Sequence, residues 1–308
     1  MRVLKRIPEL ACPICKGDLE ESECLLCPAC GRSYEIHDGI PFLLGDDRGT
    51  FAEEIAIQDR VAGEYEEKRY QVAYSRRYHD WWTGRMLAGV NREGRILDNG
   101  CGIGVLFKRD FSDRVVGLDI SSQMLKRAAK RSDQLVLGNS QELPLKDASF
   151  DLVFSRSLLH HLPRPELAVA EMHRVLRPGG EVVLADTHSS IISALPRILA
   201  RKGERFSGVH RNLTRKVISS WLEPYFQIRE VSYFGYLAYP LLGFPDFLDL
   251  FRYIPAKPLL ETALIFVDEV LSRTPLIRTQ SWGIIVKAVK PDLRSNGGTT
   301  FRREEAAL

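Results

Sequence analysis

The stretch Ile96-Leu97-Asp98-Asn99-Gly100-Cys101-Gly102-Ile103-Gly104 decides how this chain is read. Arg95, Ile96 and Leu97 read as the end of a buried strand. Three glycines then alternate with other residues, and Val105-Leu106-Phe107 predicts a helix start. A strand that turns sharply into a helix needs residues without a Cβ where backbone comes close to a ligand. The helix start adds N–H groups that no helical carbonyl can satisfy. The stretch predicts a small-ligand cradle at the carboxyl end of a first strand.

The type of cradle follows from what surrounds it. The dinucleotide fingerprint G-x-G-x-x-G would need glycine where Val105 stands, and the Gly-Lys-Ser/Thr of a P-loop is absent. Val115-Val116-Gly117-Leu118-Asp119-Ile120 reads as a second buried strand ending on a carboxylate. An acid there can accept hydrogen bonds from both hydroxyls of a ribose. Gly138-Asn139-Ser140 supplies a third strand end, and Ser149–Phe154 a fourth strand. Leu176–Leu184 turns through Pro178-Gly179-Gly180 into a fifth.

Four phrases now stand in order over residues 95–187: ILDNGCGIG, VVGLDISSQML, LPLKDASFDLVFSRSLLHHL and EMHRVLRPGGEVVLAD. With them the chain resembles the class I S-adenosylmethionine-dependent methyltransferases, most closely the group that includes ubiquinone/menaquinone-biosynthesis methyltransferases. The resemblance implies an α/β fold, a Rossmann-like seven-stranded sheet with helices on both faces. It implies S-adenosyl-L-methionine as cofactor and in-line displacement of the sulfonium methyl by the acceptor. Carried onto this sequence, Asp98, Gly100, Gly102 and Gly104 hold the methionine end, and Asp119 holds the ribose. Ile120 and Met124 flank the adenine. Asn139 stands where the family commonly has Asp, so its contact to the adenine amine lacks the charge. The backbone of Ser140 reads the adenine, and Cys101 and Ser155 complete the binding set. His160 and His161 are the candidate bases, needed if oxygen is methylated. Their competing roles are helix capping and core hydrogen bonding.

The bulk numbers fit a folded enzyme. The chain has 308 residues, 44% hydrophobic and 27% charged, with 43 basic and 40 acidic residues for a net charge of +3. One large or two unequal domains fit that length. The charge is mild and mixed, which gives no electrostatic argument for nucleic acid. No apolar run follows Met1-Arg2-Val3-Leu4-Lys5-Arg6, and none reaches the ~18 residues of a spanning helix. The expectation is a cytoplasmic protein.

Five of the six cysteines lie in the first thirty residues. Cys12-Pro13-Ile14-Cys15 and Cys27-Pro28-Ala29-Cys30 are two Cys-x-x-Cys knuckles, and two such turns close a tetrahedron around zinc. Disulfides are the rival reading, disfavoured where thiols stay reduced. Cys24 is a spare thiol, although Cys24 and Cys27 also make a Cys-x-x-Cys. Residues 10–44, with LACPICKGDL and CPACGRSYEIHDGIPFLL, resemble the zinc-ribbon-like domain of the tRNA-methyltransferase activator family. Asp38-Gly39 predicts a hairpin turn. The metal is expected to be structural, because so small a module has little core. Similar modules precede rRNA guanine methyltransferases, where they contact RNA, and small-molecule methyltransferases.

The expected organisation is a ribbon over 1–45, a linker and aromatic-rich helical cap over 46–94, and a methyltransferase domain over 95–290. A polar, disordered tail over 291–308 closes the chain. Tyr74, Tyr78 and Trp81 of the cap either pack on the sheet or line the substrate mouth. Between the sixth and seventh strands lies an apolar insertion, 237–280, where a short turn would suffice. It reads as packed helices, or as a lid or interfacial patch for a hydrophobic substrate. Three functions follow. The first is methylation of a small hydrophobic (lipid-, quinone- or aromatic-like) acceptor, with a possible peripheral membrane contact. The second is an rRNA guanine methyltransferase. The third is a cofactor-binding pseudoenzyme, against which the intact glycine run and Asp119 speak.

Overall fold

A computed structural model describes residues 7–191, 193, 213–245, 250–254 and 257–292. The tail expected to be disordered lies outside them from residue 293 onward. The N-terminal segment makes five short strands: β1 (Glu20–Glu21), β2 (Leu25–Leu26), β3 (Ser33–Tyr34), β4 (Ile36–His37) and β5 (Ile40–Leu43). Two helices follow, α1 (Ala52–Tyr65) and α2 (Ala73–Leu87), joined by a π-helical turn, Glu66–Gln71. Then come β6 (Ile96–Asn99), β7 (Val115–Asp119), α3 (Ser122–Ala128), β8 (Leu135–Gly138), β9 (Phe150–Arg156), α4 (Pro165–Val175) and β10 (Leu176–Thr187). The chain closes with α5 (Arg215–Leu222), β11 (Gln227–Phe234), α6 (Lys257–Arg273) and β12 (Gly283–Val289).

One sheet organises the molecule, in the order β11-β12-β10-β9-β6-β7-β8-β5-β4. From β10 to β5 the strands run parallel, and β12 is antiparallel to both its neighbours. The seven expected strands occupy seven adjacent places. Parallel strands covered on both faces need apolar residues on both. Leu97, Val116, Leu118, Val136 and Val153 accordingly pack to one side, while Ile96, Val115, Leu135, Leu152 and Phe154 pack to the other.

The ribbon joins this sheet. Asp38 and Gly39 both have positive φ, 52° and 77°, as a two-residue hairpin turn requires. The hairpin they close, β4–β5, adds to the sheet edge: Phe42 pairs with Leu137 and Leu43 with Gly138. Upstream, Ala11 N–H donates to the Pro144 carbonyl (3.0 Å) and Lys146 N–H to that of Glu9 (2.8 Å). Cys12, Cys27 and Tyr34 share one apolar cluster with Leu118, Leu143 and Leu145.

The helix expected from Val105 is a single 3-10 turn, Leu106–Lys108. Only ten residues, 105–114, lead from the glycine run back to β7, and Arg109 is already extended (φ −96°, ψ 161°). Thr214 caps α5, its hydroxyl accepting from Val217 N–H at 3.3 Å. The apolar run of the insertion is the helix α6.

Candidate active site

The glycine turn leaves β6 and is tied down from β7. Gly100 and Cys101 both donate N–H to the Leu118 carbonyl at 2.9 Å. Gly100, Gly102 and Gly104 have φ of +78°, +53° and +78°, the region that costs a side chain least when the side chain is absent. A Cβ on Gly104 would collide with Phe107, whereas one on Gly102 would meet no atom within 4 Å. The turn therefore packs on its inner side and faces open space at Gly102.

Two buried acids flank it. Asp119 accepts from Gly102 N–H (2.8 Å) and Ser121 N–H (2.9 Å), and burial still pushes its carboxyl upward. Burial pushes Asp98 up to about 7, opposed by the Arg156 charge and helped by Asp119. An acid this deeply buried is costly to ionise without a cation beside it. Beyond Asp119, Ile120 and Asn139 line a recess together with Leu44, Phe51, Ile55 and Glu142. Asn139 Oδ1 accepts from Gln141 N–H (2.9 Å), and Ser140 Oγ donates to Asn99 Oδ1 (2.8 Å). Ser155 is buried in β9, in register with Asn99.

The cap roofs this site. Ser121 caps α3, accepting from Met124 N–H at 3.1 Å, and its hydroxyl donates to Asp59 of α1. Ala62 and Tyr70 pack on Ile103, Val105 and Met124. Glu66 accepts from Arg131 (2.8 Å), whose guanidinium also reaches the Ile103 carbonyl (2.8 Å). Met124 is thus buried under the cap.

His160 and His161 stand with their ring centroids 4.0 Å apart. His160 Nδ1 is 2.5 Å from Asp186 Oδ1 at the end of β10. Asp186 also accepts from Leu159 N–H (2.8 Å) and Thr187 N–H (2.6 Å). Burial holds the His160 ring below the usual histidine range; the Asp186 carboxyl stays below its own, against burial, because His160 faces it. A neutral ring beside a carboxylate carries its proton on Nδ1, so this pair braces the ends of β9 and β10. His161 lies 2.9 Å from Glu54 of α1.

Sequence reasoning missed the opposite wall. Arg156, the last residue of β9, donates to Tyr70 Oη and to Thr83 Oγ1 (3.0 Å) and lies 4.8 Å over the Trp82 ring. Beside it His79 stacks on Tyr70, centroids 5.1 Å apart. His79 Nε2 meets the Gly243 carbonyl at 3.1 Å. A carbonyl only accepts, so Nε2 carries the hydrogen. Burial, with the charges of Arg156 and Arg69, keeps the ring well below its usual pKa, hence neutral. Nδ1 is then a bare acceptor, and among the described residues nothing donates to it. Ser75 Oγ, Tyr78 Oη and Trp82 Nε1 are likewise buried without a hydrogen-bond partner. Positions 75, 78, 79 and 82 share one side of a helix. Buried polar atoms normally have partners, and these four on one helix face have none among the described residues. Tyr74, Tyr78 and Trp81 meet the insertion: they pack with Ala238, Leu242 and Phe251.

The four predicted zinc ligands come together. The Sγ atoms of Cys12, Cys15, Cys27 and Cys30 all lie within 4.8 Å of one another, with Cys12–Cys30 at 3.7 Å and Cys15–Cys27 at 3.4 Å. Four sulfurs at zinc-ligand distance around one ion sit roughly 3.8 Å apart. Burial works against ionising Cys12, but the N–H groups of Cys15 and Ile14 and the Tyr34 hydroxyl bring its thiol down to about 6. Cys24 is not in the cluster.

Residues 97–184 match the methyltransferase-domain family, and residues 9–39 match the Trm112p-like protein family. This chain carries a methyltransferase domain behind a Trm112p-like segment. A phosphatidylethanolamine N-methyltransferase of Cereibacter sphaeroides is 36% identical over 131 residues, 38% of this chain and 64% of that protein. A demethylmenaquinone methyltransferase of Staphylococcus aureus is 29% identical over 169 residues, 51% of this chain and 69% of that one. The chain spans 55–64% of the length of three of the curated relatives it matches. A SAM-dependent methyltransferase of Thermotoga maritima superposes with a TM-score of 0.53 at 19% identity, covering 76% of this chain and 99% of that one. A chain of the complex holding the Haloferax volcanii Trm112 methyltransferase activator gives 0.50 at 20% identity, covering 79% and 97%. At these identities the likeness is one of fold. No helix among the described residues is long and apolar enough to cross a membrane.

Proposed function

We propose that this chain is an S-adenosylmethionine-dependent methyltransferase acting on a small hydrophobic acceptor, lipid-, quinone- or aromatic-like. The observation that carries the cofactor is the glycine turn with open space before Gly102, set between Asp98 and Asp119. The donor set fits the group. Asp98 would hold the ammonium, with Gly100, Cys101, Gly102 and Gly104 along the methionine chain. Asp119 would take the ribose hydroxyls, and Ile120, Met124, Asn139 and Ser140 the adenine, with Ser155 beneath. Bound cofactor supplies the electrophilic methyl and its leaving group, so the protein's work is alignment and exclusion of water.

The acceptor's reacting group would lie over the ends of β6 and β9, against the unpartnered side of α2. There His79 Nδ1 receives a hydrogen bond from its O–H or N–H, and Trp82 Nε1 donates one. His79 fits this role better than His160, whose Nδ1 is given to Asp186. His161, touching the cap through Glu54, remains the other candidate to take a proton. The insertion supports a hydrophobic acceptor, since its turn Tyr239–Gly243 lays apolar residues on α2. Cys12, Cys15, Cys27 and Cys30 would hold a structural zinc.

The Trm112p-like match favours a second reading, in which the ribbon contacts RNA or a protein. Against it, the ribbon's backbone is spent on its own sheet, at Pro144, Glu9 and β8. One experiment separates the readings: transfer of labelled methyl from S-adenosylmethionine into a total lipid extract and into purified rRNA. Label is expected in the lipid fraction. Label in rRNA alone supports the second reading. Tight S-adenosylhomocysteine binding with no label in any fraction supports a pseudoenzyme.

A further inference from the structure

The helix α6 is built inside out. Of its three acids two are buried, and the third, Glu269, is partly exposed and reaches both Arg85 and Arg273. Asp268 is fully buried and accepts from the N–H groups of Tyr236 (3.0 Å), Leu237 (2.8 Å) and Ala238 (3.2 Å). Glu261, also buried, meets Arg77 at 2.7 Å, and Glu269 meets Arg85 at 3.5 Å. Leu260, Leu264 and Ile265 pack inward against the Tyr74–Tyr78–Phe251 cluster. The outer face is apolar as well. Leu259 is 76% exposed, Phe266 66% and Val270 48%, and Leu276 in the following turn is 91% exposed. Positions 259, 266 and 270 fall on one side of a helix. An apolar helix face is ordinarily a covered one, and among the described residues nothing covers Leu259, Phe266 and Val270.

The charges say what covers it. The bare face is bracketed by cations: Lys257 at its start, Arg273 (side chain 82% exposed, 3.6 Å from the partly exposed Glu269) at its end, and the exposed Arg278 beyond. A second copy seated by a twofold axis lying across the helices would bring Lys257 of one against Arg273 of the other, and one along them would bring each of these cations against its own copy. A surface that is apolar and cationic at its edges fits the headgroup region of an anionic bilayer. We propose that the outer face of α6, with Leu276, docks this chain on a membrane surface rich in anionic lipid. The same insertion carries Gly243, which holds His79, so docking sets the candidate acceptor wall beside the bilayer. The inference does not rest on the acceptor reading: it concerns attachment alone, and its test uses neither cofactor nor acceptor.

The test is cosedimentation of the full chain, metal retained, with phosphatidylcholine vesicles and with vesicles holding about 30% phosphatidylglycerol. The protein is expected to follow the anionic vesicles roughly tenfold better and to be released by about 0.5 M salt. Phe266→Asp with Leu276→Asp should lower binding roughly tenfold, and Arg273→Glu with Arg278→Glu roughly fivefold or more. All four positions are exposed, and an unchanged thermal midpoint with an unchanged far-ultraviolet circular dichroism spectrum verifies the fold. Absence of vesicle binding, or equal binding by the Phe266/Leu276 variant, overturns the proposal. So does a dimer in solution that becomes monomeric with Phe266→Asp, which would assign the face to a second copy.

Discussion

The two walls of the candidate site are finished to different degrees. On the cofactor wall the backbone is closed on itself: Gly100, Cys101, Gly102 and Ser121 all spend their N–H groups on Leu118 or Asp119. On the α2 wall, Ser75, Tyr78, His79 and Trp82 hold buried polar atoms without partners. One wall is preorganised, with its cost placed in buried carboxylates. The other keeps hydrogen-bonding capacity in reserve. The contrast teaches that two faces of one fold can be equally buried and yet differ in how far their polar groups are spent among the described residues.

The largest expected effect erases the contrast by removing the support of both walls. Cys27→Ser should release the metal and with it most of the ribbon's stability, since structural zinc contributes on the order of 10 kcal/mol to a small module. Because Cys12 and Cys27 share a cluster with Leu118, the loss should reach the sheet and be visible as a fall in the thermal midpoint of the whole chain. Cys24→Ser should leave the zinc content at one per chain by elemental analysis. A variant that loses metal at Cys24 and keeps it at Cys27 breaks the ligand assignment.

Asp98 sharpens the contrast next. Its folded pKa of about 7 lies above the ordinary carboxylate value, so the folded chain binds the proton more tightly than the unfolded one. The stability it contributes is therefore greatest at low pH and declines as pH rises from about 4 to 7. Cofactor binding should run the other way, weakening below pH 7 by up to about tenfold per unit as Asp98 must first lose its proton. Asp98→Asn should raise the thermal midpoint at pH 8 while cutting S-adenosylhomocysteine affinity, both read by calorimetry at pH 6 and 8. A variant that loses stability at pH 8 contradicts the strained-acid account.

Asp119→Ala should cost about 1.5–3 kcal/mol of cofactor affinity, ten- to a hundredfold, through the lost charged acceptor. Unchanged binding by titration would refute the ribose assignment. The smallest effect belongs to the α2 wall. His79→Gln can keep a donor toward Gly243 but removes the Nδ1 acceptor, whereas His79→Asn does the reverse. Methyl transfer into the labelled lipid fraction should fall about tenfold in His79→Gln and be better kept in His79→Asn, with cofactor affinity unchanged in both. The reverse order would make His79 a packing residue.

What could be read from the sequence was what lies close along it. The glycine run, Asp119 five residues along β7, and the two cysteine knuckles are local patterns with one physical use each. Ser121 and Thr214 announce their helices in the same way. The rest is made by distance. His79 and Gly243 are 164 residues apart, and Asp268 clamps backbone thirty residues away. Arg156 finds Tyr70 and Thr83 only because α2 crosses the end of β9. The helix expected after Gly104 fails because the return to β7 is too short, which apolar periodicity does not report. Asp186 gave no signal at all: at the end of an apolar strand it looks like any terminal carboxylate.

The strand pairing of Phe42 with Leu137 sets an order of events during synthesis. The hairpin β4–β5 leaves the ribosome 95 residues before the strand it must pair with, about 5–19 s at ordinary elongation rates of ~5–20 residues per second. An unpaired edge invites a wrong neighbour for all of that time. All four clustered thiols, Cys12 to Cys30, precede the hairpin, so a metal held there would shape the ribbon before β8 arrives.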